Sequence, residues 1–276
     1  MTDHKQKALN ALAKGAGIAV IGTIISKAIT YLYRLTVARF IGPEAYGQLS
    51  LAMMVVGIGS TVALLSLNQG IQKYIPELRT KNDMRGIKGI LLSSLHISLP
   101  ASILVSSGIF FGSEFIAVTV FNNRELVPLL KIMAVAPLFK SLSEIFLDTT
   151  IGFNKAVYKI GVKKIAQNVV QLGVTVTLVL VGLEVAAAAW GWLAGSFVAA
   201  VLGLYFMEKK VGPILRNKEK PKYNHRKLLK FSSPLLLSGV ITTVMGWADT
   251  AFLGYFMTDY EVGLYNAALP TAALIM

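Results

Sequence analysis

Cysteine is absent from the 276 residues, which excludes disulfides and thiolate metal sites. Histidine is almost absent: His4, His96 and His225 are the whole complement, far apart along the chain. No H-E-x-x-H, paired-aspartate motif, phosphate-cradling glycine loop or G-x-S-x-G occurs. The chain therefore reads as a non-enzyme, with no catalytic residues, no metal and no cofactor. It also lacks an ATP-binding module, so any transport would run on an ion gradient, a substrate gradient or a partner. Charge is scarce, at 15% of residues against about 25% in soluble domains. With 54% hydrophobic residues and a mean hydropathy of +0.62, the composition is that of a membrane protein. Acidic residues are the scarcest charges, 14 against 27 Lys and Arg, for a net charge of +13. In a soluble chain that balance would point to nucleic acid. Here the bases lie between apolar runs, where orientation signals belong, so no nucleic-acid partner is expected.

A bilayer core needs about 20 apolar residues per helix. Eight runs qualify or begin to: Ala16–Phe40, Gln48–Leu67, Ile87–Phe111, Val127–Thr150, Ile165–Leu183, Ala186–Met207, Ser233–Phe256, and Gly263 to the last residue. The first is too long for a signal-peptide core and reads as an uncleaved span. Pro100, Pro137 and Pro270 fall inside spans and predict kinks. Alternate loops hold 21 basic residues on the N-terminal side and only two, Arg39 and Arg124, on the other. The positive-inside rule then places the N-terminus in the cytoplasm of a multi-pass plasma-membrane protein.

Four bases, Lys27, Arg34, Lys131 and Lys140, and three acids, Glu144, Asp148 and Asp249, lie within spans. Each central charge costs about 2.5–3.5 kcal/mol on insertion scales, so such groups face protein or a wet cavity. Lys27 and Arg34, seven residues apart, share one helix face, and Lys140, Glu144 and Asp148 form a second stripe at steps of four. Lys131 falls on a different face and snorkels to the outer surface. Two readings stand for these charges. Either they pair between helices, Lys140 or Lys27 with Glu144, or the bases line a cavity for an anionic substrate. Asp249 either bonds to hydroxyls such as those of Thr243 or Thr250 or serves in coupling.

The polar turn Phe40-Ile41-Gly42-Pro43-Glu44-Ala45-Tyr46-Gly47 closes a helical hairpin, and Phe256 to Gly263 is a weaker copy of it. Gly47 matches Gly263 and Ala52 matches Ala268 at one offset, 216 residues, which implies an internal repeat. Gly191-x-x-x-Gly195 would let two helices approach closely, and Trp190 and Trp192 look like interfacial anchors. The basic loop Lys209–Lys230 reads as a solvated connection between lobes, with anionic-lipid binding as the alternative.

Gly42-Pro43-Glu44-Ala45-Tyr46-Gly47, Gln72-Lys73-Tyr74-Ile75-Pro76-Glu77, Asp249-Thr250-Ala251-Phe252-Leu253-Gly254 and Glu261-Val262-Gly263-Leu264-Tyr265-Asn266-Ala267-Ala268 resemble the polysaccharide biosynthesis flippases. These belong to the multidrug/oligosaccharidyl-lipid/polysaccharide exporter superfamily. The resemblance implies an all-α membrane fold of two pseudo-repeated six-helix lobes that rock about a central cavity. It implies movement of polyprenyl-(pyro)phosphate-linked oligosaccharide from the inner to the outer leaflet, with glycan polymerase or glycosyltransferase partners. On this pattern 1–208 form the first lobe, 209–231 the inter-lobe loop and 232–276 the start of a second lobe. At an offset of 216 the chain stops in the middle of its eighth span, so a fragment is expected. Lys27, Arg34 and Lys140 are the expected cationic lining, and Glu144, Asp148 and Asp249 the coupling or pairing acids. Two alternatives stay open: a cation-coupled multidrug exporter, and a non-transporting scaffold for glycan assembly.

Overall fold

The computed structural model describes residues 28, 31, 32, 34, 36–216 and 218–275, and among them there is no strand. Gly42, at a φ of +83°, makes the turn that Pro43 then commits to a helix. That helix, α1 (Pro43–Leu64), is apolar all round and is the most buried of the candidate spans among the described residues. It is followed by α2 (Leu67–Thr80), α3 (Met84–Phe111), α4 (Leu126–Met133) and α5 (Ala136–Gly152). Asp83 caps α3 by accepting from the Gly86 N–H at 2.8 Å.

Beyond α5 come α6 (Ala156–Ile160), α7 (Gln167–Leu180), α8 (Glu184–Phe206), α9 (His225–Phe256) and α10 (Asp259–Ile275). A wider helical turn, Gly161–Ala166, joins α6 to α7 without interruption. Among the described residues five segments are long and apolar enough to cross a membrane: α1, α3, α4 with α5, α8 extended to Val211, and α9.

Three expectations need correcting. The span ending at Leu67 does not run into a loop: the chain breaks at Leu65–Ser66 and continues as α2, whose Leu67, Ile71, Tyr74 and Ile75 are buried along one face. The span Val127–Thr150 is not merely kinked at Pro137 but divides into α4 and α5 just before it, because a proline lacks the N–H that would continue the ladder. Trp192 is a core residue with 9% exposure and not an interfacial anchor, whereas Trp190 is exposed.

Two apolar cores stack along the bundle. One joins Leu49, Met54 and Val56 of α1 to Leu126, Leu130 and Met133 of α4, Ala188 and Ala189 of α8, and Val262 of α10. The other joins Leu67, Ile71 and Ile75 of α2 to Ile87, Ile90 and Leu91 of α3, Ile145 of α5 and Leu228 of α9. Small residues set the close approaches. A Cβ on Gly191 would sit 2.1 Å from Thr175 Oγ1, and one on Gly195 would sit 2.4 Å from Gln171 Cγ, so α7 and α8 pack as the G-x-x-x-G spacing predicts.

The repeat offset reappears in three dimensions. α1 begins at Pro43 and α10 at Asp259, 216 residues apart, and the two helices cross at Gly47 and Gly263. A Cβ on Gly47 would lie 1.9 Å from the Asp259 carbonyl oxygen, and one on Gly263 would lie 1.7 Å from that of Pro43. Only hydrogen fits at either position.

Candidate functional site

Between the two cores lies a cavity of about 400 Å³. Its walls are the end of α1 (Ser60, Thr61, Leu64), the start of α2 (Ser66, Asn68, Gln69), one stripe of α5 (Lys140, Ser141, Glu144) and one stretch of α9 (Ser238, Gly239, Thr242, Thr243). Only Leu64 and Gly239 lack a polar side chain. Thr61 and Thr243 meet hydroxyl to hydroxyl at 3.1 Å and tie α1 to α9 across the wall. A hydroxyl- and amide-lined space between apolar cores fits a polar group drawn into a membrane protein.

The wall owes its shape to a strained junction. Leu65 and Ser66 both sit at a φ of +51°, in the left-handed region that side chains other than glycine rarely occupy. Such residues cost on the order of 1–3 kcal/mol each and persist only where their surroundings impose them. Leu67 and Ile71, buried in the second core, fix α2 on its new course.

The α5 stripe is half as predicted. Lys140 and Glu144 do line the same cavity, but they do not pair. Glu144 is held by Lys159 at 2.8 Å and Lys163 at 3.0 Å, both from the α6–α7 segment. Asp148, fully buried, accepts from Lys159 at 2.7 Å and from the Gln72 amide at 2.8 Å. Lys163 also donates to Ser143 Oγ at 2.7 Å. Sequence reasoning placed Lys159 and Lys163 in a cytoplasmic loop. Their spacing of four was the available signal, because it mirrors the spacing of Glu144 and Asp148. With both acids engaged elsewhere, Lys140 has no carboxylate within ion-pair distance among the described residues.

The other candidates are dispersed. Lys27 lies outside the described residues. Arg34 is helical and half-buried and is not on the cavity wall. Asp249 bonds to neither threonine considered for it: its carboxylate accepts from the Tyr265 hydroxyl at 2.6 Å, while Thr250 donates to Asn266 at 3.1 Å. Lys131 is exposed, 5.9 Å from the Phe110 ring centroid. His96 and His225, distant in sequence, stack at 5.8 Å with Tyr223 between the elements that carry them. There the connection to α9 is laid on α3, with the Lys222 N–H on Arg85 O at 3.0 Å and the Asn224 N–H on Ser93 Oγ at 3.1 Å.

Beyond the first core, next to the glycine crossing, the polar contacts are of another kind. The buried Gln48 amide donates to Glu125 at 2.8 Å and to Asp259 at 3.2 Å, and Asn123 donates to the same Asp259 oxygen. Asp259 is the first residue of α10, ahead of the last apolar run, which begins at Gly263. Burial raises its carboxyl above the ordinary value, the charges of Glu44 and Glu125 add to this, and the Gln48 and Asn123 hydrogen bonds act against it.

A bundle of apolar helices around a polar cavity, five of its described segments long and apolar enough to cross a membrane, is the architecture of a multi-pass membrane protein. The chain belongs to the family described as "Polysaccharide biosynthesis protein", which it matches over residues 12–276. It is 25% identical over 269 residues to the probable low-salt glycan biosynthesis flippase Agl15 of Haloferax volcanii, covering 96% of this chain and 52% of that protein. It is 29% identical over 126 residues to stage V sporulation protein B of Bacillus subtilis, covering 45% of this chain and 24% of that one. The chain thus spans about half or less of the length of these relatives. In fold it is similar to a multidrug resistance MATE family transporter solved in an inward-facing conformation. The TM-score is 0.67 at 17% identity, over 93% of this chain and 61% of that one.

Proposed function

We propose that the protein is part or all of a flippase that carries polyprenyl-(pyro)phosphate-linked oligosaccharide from the inner to the outer leaflet by alternating access. The observation that carries this reading is the cavity between the cores, polar on all four walls and bearing Lys140 without a carboxylate partner among the described residues. Hydroxyls and amides suit a glycan, and a lone ammonium suits its phosphate. The Agl15 relative, named a probable glycan flippase, supports the same class. Lys27 and Arg34 remain proposed cationic contacts along the substrate's path, Arg34 away from the wall of this cavity, and the lipid tail stays in the bilayer. Asp148 and Glu144, held by lysines, act as helix-pairing groups and not as a coupling site. The cytoplasmic N-terminus, the plasma-membrane location, the division at 208 and 231, and docking of glycan-assembly enzymes belong to the same proposal. The glycine-crossed end then faces outward and the basic loops face inward.

A cation-coupled drug exporter calls for an exposed acid in the cavity, and Glu144, the only acid on its described wall, is neutralised by two lysines. The test is the sidedness of the lipid-linked glycan pool in cells lacking the gene, read with a membrane-impermeant glycosidase. Inward-facing glycan should accumulate. An unchanged, outward-exposed pool overturns the flippase reading.

A further inference from the structure

A second groove, of about 590 Å³, lies at the end of α8 and shares no residue with the cavity between the cores. Val201, Leu204 and Tyr205 line it from one face of the helix, and all three are exposed. They belong to a segment long and apolar enough to cross a membrane, which ends at Val211. Lys209 and Arg216, both exposed, line the same groove where that segment gives way to the basic loop.

A chain reversal builds the groove. The Gly212 N–H returns to the Met207 carbonyl at 3.2 Å, and Ile214 is buried in the second core. The Leu215 N–H then donates to Glu208 Oε1 at 2.8 Å. Lys155 Nζ, from the connection between α5 and α6, holds the same turn by donating to the Lys210 carbonyl. Arg216 is thereby folded back to the groove that Lys209, seven residues earlier, also lines.

Charge decides what such a groove takes. Neither Lys209 nor Arg216 has an acid within ion-pair distance among the described residues. Glu208, the one acid on the lining, is turned inward: Oε1 accepts from Leu215, and Oε2 is closed off from solvent. Two exposed bases against one inward acid leave a net positive charge beside an apolar wall. An acyl chain joined to an anionic phosphate has the complementary pairing, and bases at a membrane surface attract it. A zwitterionic lipid brings the chain without the net charge, and a soluble phosphate leaves the apolar wall unfilled.

We propose that the groove holds an anionic phospholipid, its phosphate between Lys209 and Arg216 and an acyl chain along Val201, Leu204 and Tyr205. The lipid comes from the leaflet that the basic loops face. The guanidinium offers paired donors to the phosphate, and the ammonium adds a point charge. Bound there, the lipid fixes the start of the basic 209–230 segment against α8, whatever the polar cavity carries.

The test is native mass spectrometry of the full chain, released from micelles doped with phosphatidylglycerol or phosphatidylcholine. One phosphatidylglycerol should be retained about tenfold more tightly than phosphatidylcholine. Lys209→Gln with Arg216→Gln should remove that preference, and each single substitution should lower it about threefold, as expected for bases at a lipid surface. Lys218→Gln with Lys220→Gln takes as much charge from the same loop outside the groove and should leave the preference intact. Melting temperatures measured alongside separate lost binding from lost fold. The site is overturned by equal retention of both lipids in the wild type, or by a preference that survives loss of Lys209 and Arg216. Equal loss in the two double variants, or full competition by soluble glycerol 3-phosphate, overturns it as well.

Discussion

At one end of the bundle α1 meets α10 so closely that a single methyl group on either glycine would collide with backbone. Three to four turns further along α1, beyond the first core, the helices stand apart around about 400 Å³ of polar space. The sealed end is held by shape, Gly47 against Gly263, with a Gln48 amide clasping two carboxylates beside it. The open end is held by charge, two lysines of the α6–α7 segment gripping two acids of α5 behind the cavity wall. Shape closes a path without leaving anything to bind. Charge braces a wall while keeping Lys140 available.

The comparison can be broken from either side. Lys159→Ala removes one partner from a buried ion cluster and leaves Asp148 with only the Gln72 amide. A loss of about 3–5 kcal/mol is expected, seen as unfolding at lower denaturant in detergent, and a neutral result would mean that water solvates the cluster. Gly263→Val should cost about 3 kcal/mol, the upper range for overpacking, because the colliding atoms are backbone and cannot rotate away. In this cysteine-free background a Ser60→Cys reporter should then react with an impermeant maleimide from the formerly sealed side. An unreactive reporter would show that the crossing is not the barrier.

Smaller changes sharpen it. Ser66→Gly relieves one left-handed position and should stabilise the chain by about 1 kcal/mol, detectable as a raised melting temperature, whereas a lowered one would mean that the hydroxyl is needed for folding. Asp259 gives the gentlest handle. Its carboxyl is raised in the folded state, so the folded chain binds more protons than the unfolded one from about pH 4 up to the raised value. Its contribution is complete below that window and is lost as pH rises through it. Asp259→Asn should flatten this slope in the pH dependence of thermal stability, and an unchanged slope would assign it to another group.

Much of this was legible in the sequence. Apolar run length located the five described segments that can cross a membrane, and the matched turns gave the offset that α1 and α10 obey, because Pro43 and Asp259 each start a helix after a chain reversal. The α5 stripe followed from helical spacing alone. What escaped was whatever depends on a distant partner. Lys159 and Lys163 look like solvated loop charges until the chain folds them over Glu144 and Asp148. Leu65-Ser66 carries no turn signature, and only burial of Leu67 and Ile71 in the second core forces the break. The hydroxyls of the cavity are scattered over four helices at no shared spacing, and His96 and His225 meet only because the 220–224 connection is laid on α3.

The glycine crossing has one more implication. Gly47 faces the residue 216 positions after Pro43, and Gly263, its own counterpart, faces Pro43. Reciprocity of that sort defines an isologous contact, the self-complementary surface through which two identical subunits meet about a twofold axis. Here both surfaces sit on a single polypeptide. The geometry is that of a self-complementary contact contained within one polypeptide, each surface carrying its glycine at the same 216-residue offset.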